Sequence, residues 1–96
     1  MRKFLIILFL AYITVYNEPG IMASGKRVYD GAVACPRNLK LGTKVEIDGR
    51  VYTCEDRYAK WLDKKRGLPT FDIWMKVSNK EAMKIGLRKM EVKIIK

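Results

Sequence analysis

This 96-residue chain contains no histidine. That absence removes Ser-His-Asp and Cys-His catalysis in their usual forms. Its two cysteines cannot fill a tetrahedral zinc site alone, so neither a metal nor a cofactor is expected. Acids are scarce, 10 Asp and Glu against 20 Lys and Arg. No apolar run reaches the ~20 residues of a membrane-spanning helix. Repeats, low-complexity tracts and linkers are also missing, and the length leaves room for one domain around one core. With 49% apolar residues the chain should fold despite a formal charge of +10.

The charge speaks to partners rather than to fold, and polyanions are the natural ones: nucleic acid, acidic lipid headgroups or cell-wall polymers. The basic residues are scattered. Their densest cluster is KWLDKKR, Lys60 to Arg66, interrupted by Asp63, and it reads first as a solvated surface. The N-terminus is more specific. MRKFLIILFLA sets Arg2 and Lys3 before an apolar stretch from Phe4 to Ala11, the n-region and h-region of a secretory signal peptide. Residues 1–11 are therefore expected to be a signal peptide or an N-terminal anchor, with residues 12–96 as the domain and an exported location. The competing reading makes Phe4 to Val15 a buried first strand. Cys35 and Cys54 fit export: joined, they would close a loop of about 20 residues, worth roughly 3 kcal/mol in the chain-entropy model. Two buried free thiols are the alternative.

Short β-branched or aromatic runs bounded by Gly, Pro, Asn and Ser predict strands at YITVY, RVY (residues 27–29) and GAVAC. KVEI and RVYTC flank Asp48-Gly49, the strongest short hairpin signal, because a type I′ turn needs positive φ at both positions. RYAKWLDKKRGLPT reads as a loop or a single helical turn, and FDIWMKV as a strand. Ser78 and Glu81 form a capping box ahead of a short helix that Gly86 stops, and MEVKII alternates as a last strand. The sum is an all-β, barrel-like chain with one short helix near the C-terminus.

Against this basic background VYTCEDR sets Glu55 and Asp56 side by side. Glu46, Asp48, Glu81 and Glu91 read as surface, turn or cap positions. Asp56 closes a strand, and Asp72 stands between Phe71 and Ile73. A carboxyl flanked by large apolar groups has its pKa raised by desolvation, as a general acid requires. The bland reading pairs Asp72 with a Lys or Arg or turns it outward.

In order along the chain, TVYNEPGIMASGK, GAVACPRNLKLGTKVEIDG, YTCEDR, FDIWM and SNKEAMKIGLRKMEVKII resemble the motifs of the three-aspartate (3D) domain. That family is a six-stranded double-psi β-barrel related to membrane-bound lytic transglycosylase A and to RlpA-like domains. Two positions differ. Cys35 stands where the family has its first aspartate, which leaves Asp56 and Asp72, and RYAKWLDKKRGLPTF replaces a shorter Gly-rich link. Both changes resemble a subset with a cysteine at the first position and Cys-Glu-Asp-Arg at the second, which implies a disulfide between Cys35 and Cys54.

The resemblance implies nonhydrolytic cleavage of the bond between N-acetylmuramic acid and N-acetylglucosamine in peptidoglycan, giving a 1,6-anhydro product. One carboxylic acid suffices, unlike the flanking pair of most glycoside hydrolases. Asp72 is the expected acid and base, and the charge of Asp56 would raise its pKa. Glu55 would be a surface neighbour. Trp61, with Tyr58 and Lys60, is the expected contact for glycan. Trp74 shares a face with Asp72 by the period-two rule, and a core position is the expectation for it. A catalytically silent glycan-binding barrel of the same fold competes with the enzyme. A nucleic-acid-binding barrel, suggested by the charge and the interleaved Tyr and Trp, is argued against by the export signal. The expected protein is a monomer that meets peptidoglycan strands and touches membrane only through its N-terminal segment.

Overall fold

The computed structural model describes residues 7–59 and 67–95. The described residues form a closed six-stranded barrel with one short helix. The strands are β1 (Ile7–Tyr16), β2 (Ala32–Ala34), β3 (Lys44–Ile47), β4 (Arg50–Asp56), β5 (Thr70–Trp74) and β6 (Arg88–Ile95); the helix α1 (Asn79–Ile85) precedes β6. Around the barrel the order is β1-β5-β2-β4-β3-β6. β1 runs parallel to β5 and β2 parallel to β4, and the other neighbours are antiparallel.

This order forces two crossings. β5 lies between β1 and β2, so the segment joining those two must pass over the end of β5. β2 lies between β4 and β5, so their connection must pass over the end of β2.

Period-two alternation fills the interior. Ala11 and Ile13, Val45 and Ile47, Phe71 and Ile73, and Val92 and Ile94 point inward from their strands, with Val33, Tyr52 and the two cysteines completing the core. Phe71 is fully buried, and the ring of Phe9 lies 5.8 Å from it. The β3–β4 hairpin turns at Asp48 (φ 51°) and Gly49 (φ 79°), the positive pair that a type I′ turn demands. Helix α1 begins where Ser78 Oγ accepts from the Glu81 N–H at 3.1 Å, and it ends at Gly86, whose N–H donates to the Ala82 carbonyl.

One expectation about a segment changes. RVY is not a strand: Ile21 and Arg27 make a single antiparallel bridge, so residues 20–29 double back on themselves within the first crossing. The apolar N-terminal run continues into the barrel. Residues 7–13 pair with β6 and Ala11 is fully buried, so a boundary between residues 11 and 12 falls inside β1.

Candidate functional site

The two aspartates singled out by sequence come to one row of the barrel wall. Ala34 of β2 pairs with Asp72 of β5 on one side and with Asp56 of β4 on the other. Asp72 is half-buried, and its Oδ1 accepts from the Thr14 hydroxyl at 2.8 Å. Thr14 is its register partner on β1, just as Tyr16 is the partner of Trp74. Because side chains alternate along a strand, Phe71 and Ile73 face the core while Asp72 and Trp74 face outward. The apolar neighbours that singled out Asp72 thus lie on the opposite face and do not surround its carboxyl group. The same alternation corrects the core expectation for Trp74: its indole is half-buried on the outer wall, and its N–H donates to the Glu18 carbonyl at 2.9 Å.

Asp56 is occupied. Its Oδ1 accepts from the Ala23 N–H at 3.0 Å and the Arg57 N–H at 2.8 Å, and its Oδ2 accepts from the Tyr16 hydroxyl at 3.1 Å. Burial first, then the negative charges of Asp56 and Asp72, push the Tyr16 phenol well above its ordinary 10.0, so Tyr16 remains a neutral donor between the two acids.

Glu55 is the larger surprise. It is 3% exposed rather than a surface neighbour. The β2–β4 register slips between Val33, which pairs with Cys54, and Ala34, which pairs with Asp56; Glu55 is the extra residue of a bulge. The bulge breaks the alternation and turns the side chain under the first crossing. There Glu55 Oε2 accepts from the Tyr29 hydroxyl at 2.5 Å and meets Lys26 Nζ at 3.4 Å, while its carbonyl accepts from the Ser24 N–H. Burial alone would push this carboxyl up, but the Tyr29 hydroxyl, the Lys26 ammonium and Ser24 outweigh it and hold Glu55 below its ordinary range.

Cys35 and Cys54 form a disulfide with their Cα atoms 5.6 Å apart, joining the residue just after β2 to the neighbouring strand β4 inside the core. Arg57, the next residue after the acids, donates to the carbonyls of Cys35, Pro36 and Leu39. Tyr58 is buried, and its carbonyl accepts from Arg37. Trp61 and Lys60 lie outside the described residues. No cluster of three or more His, Cys, Asp or Glu suited to a metal occurs among the described residues.

The arrangement therefore offers one oriented carboxyl group, Asp72, beside two outward aromatics. Thr14 and Tyr16 were not singled out as site residues. The signal that could have found them is the alternation of YITVY, which sets Thr14 and Tyr16 opposite the inward Ile13. No family model, curated protein or solved structure matches the chain.

Proposed function

We propose that this barrel is an exported lytic transglycosylase that cleaves peptidoglycan with Asp72 as its single acid and base. The observation that carries the reading is the outer strip of β1 and β5, where Asp72, oriented by Thr14, stands two residues from Trp74 and beside Tyr16. An oriented acid next to aromatic faces suits a sugar polymer. The ordered motifs that resemble the 3D domain support the same reaction, and the disulfide supports an oxidising, exported location.

In this mechanism the protonated Asp72 gives its proton to the glycosidic oxygen as the C1–O bond breaks. The resulting carboxylate then takes the proton of the muramoyl 6-hydroxyl while that oxygen bonds to C1. The acid is regenerated, the 1,6-anhydro ring closes and no water is consumed. Asp56, with both oxygens already engaged, acts as a positioning residue through Tyr16 and the crossing segment.

The test is a digest of intact peptidoglycan by the purified protein, read by mass spectrometry beside Asp72→Asn. Anhydro-muropeptides from the parent and none from the variant are expected. A second reading, a silent wall-binding barrel, is favoured by the full engagement of Asp56 and by a disulfide cysteine at the first of the family's three acid positions. It predicts that parent and Asp72→Asn pellet equally with wall material and that neither releases soluble product.

A further inference from the structure

The outer strip with Asp72 is one distinctive surface; the end of the barrel where β1 and β3 begin and β2 and β6 finish is another. An apolar cleft of about 600 Å³ opens there, lined chiefly by Ile7, Phe9, Leu10, Leu39, Leu68 and Ile94. Smaller depressions continue it around the segment between β2 and β3, and these add Arg37, Lys40 and Lys44. Among the described residues no carboxylate side chain lines any of the three. The described residues include ten large hydrophobic side chains that are exposed, and five of them, Ile7, Leu8, Leu10, Leu41 and Ile95, gather at this end. Residues 7–11 of β1 pair only with β6 among the described residues, so one edge of that apolar stretch borders the cleft.

Aliphatic side chains around an apolar cleft, interspersed with cations that have no carboxylate partner among the described residues, match the two layers of a membrane interface. The side chains enter the acyl boundary and the ammonium groups meet phosphates. We infer that this end of the barrel docks on the surface of an anionic phospholipid bilayer, using Leu41 and Ile95 with the start of β1 as the apolar contact and Arg37, Lys40 and Lys44 as the headgroup contact. Charge complementarity selects this occupant: the charged residues described in the lining are all cationic, and the chain carries +10 overall. The inference stands apart from the proposed wall chemistry. Asp72 lies on the side wall, and α1, with Lys80 and Lys84, lies at the opposite end, where β5 finishes and β6 starts.

The test is flotation of the purified full chain with phosphatidylcholine vesicles, with and without phosphatidylglycerol. Three variants are run beside it: Lys40→Glu/Lys44→Glu, Leu41→Asp, and Lys80→Glu/Lys84→Glu. The first two change only positions outside the N-terminal apolar run, which stays intact. Each surface cation is worth about fivefold in affinity for an anionic membrane. The parent should therefore bind the anionic vesicles, and Lys40→Glu/Lys44→Glu should weaken binding by at least about twentyfold, since charge is reversed rather than removed. Leu41→Asp should weaken it several-fold, and Lys80→Glu/Lys84→Glu should stay within about twofold. Equal binding to neutral vesicles would overturn the inference. So would a Lys40→Glu/Lys44→Glu variant that binds like the parent, or equal losses in the two double variants, because each would assign the contact to the N-terminal run or to bulk charge. Thermal melts of each variant show whether a loss comes from unfolding.

Discussion

The crossing between β1 and β2 and the crossing between β4 and β5 solve the same topological problem with opposite chemistry. The first, residues 17–31, brings donors to carboxylates: the Ala23 N–H reaches Asp56, which also accepts from Tyr16 at the end of β1, while the Tyr29 hydroxyl and Lys26 reach Glu55. At the second, which leaves β4 through residue 57, Arg57 sends its guanidinium to three carbonyls of the segment that follows β2. Between them Cys54 is bonded to Cys35. Four consecutive residues, Cys54, Glu55, Asp56 and Arg57, thus fasten both crossings at one place on β4. The adjacent acids in a basic chain are explained by this: donors on the first crossing need acceptors where it passes the wall. Asp72 has no part in that clasp: its Oδ1 accepts from Thr14 of β1, so the contrast is between acids bonded to the first crossing and an acid bonded within the barrel wall.

Breaking the clasp at its covalent member should cost most. Cys35→Ala/Cys54→Ala opens a loop with a sequence separation of 19, and the chain-entropy model assigns such a loop about 3 kcal/mol. Urea unfolding of the parent with and without reductant, beside the double variant, measures it. A loss under about 1 kcal/mol would mean that the polar clasp alone holds the two crossings.

Glu55→Gln comes next, at about 2 kcal/mol, since hydrogen bonds to a buried charge are the stronger kind. The pH dependence has a definite sign. A carboxyl held below its ordinary 4.5 in the folded protein adds stability that is present above that value and fades as pH falls through its lower folded value. Stability of the parent should therefore drop on acidification below 4.5, and Glu55→Gln should flatten that drop. Unfolding midpoints measured across the acid range check both. If the two proteins lose stability in parallel, some other carboxylate carries the effect.

What could be read from the amino-acid order follows how local each signal is. Asp48-Gly49 between alternating runs predicts the β3–β4 hairpin, and Ser78, Glu81 and Gly86 predict the limits of α1, because those geometries are decided within a few residues. Glu55 was misread because its bulge is created by the pairing of β4 with β2, a partner about twenty residues away whose register no local pattern reveals. Trp74 and Asp72 were correctly expected to share a face, but FDIWM has apolar residues in both phases. Phe71 and Ile73 took the inner phase and left the aspartate and the tryptophan outside. Residues 27–29 look like a strand by composition, yet they belong to a crossing whose path is set by the strand order of the whole barrel. Cys35 and Cys54 could be paired by resemblance and remained open by spacing alone, because only the closed barrel brings β2 beside β4.

The sharpest form of the comparison sets Asp56→Asn against Asp72→Asn. At position 56 the amide oxygen can keep the Ala23 and Arg57 N–H groups, but the amide nitrogen is then turned toward a Tyr16 hydroxyl that donates, so about 1 kcal/mol should be lost. At position 72 the amide oxygen still accepts from Thr14, and the stability change should stay within about 0.5 kcal/mol. Activity should rank the other way. Release of anhydro-muropeptides should vanish in Asp72→Asn and fall in Asp56→Asn only as far as the loosened Tyr16 allows. Were Asp56→Asn inactive at full stability, the first crossing would owe its hold to Glu55 alone, and Asp56 would move from the clasp to the reaction.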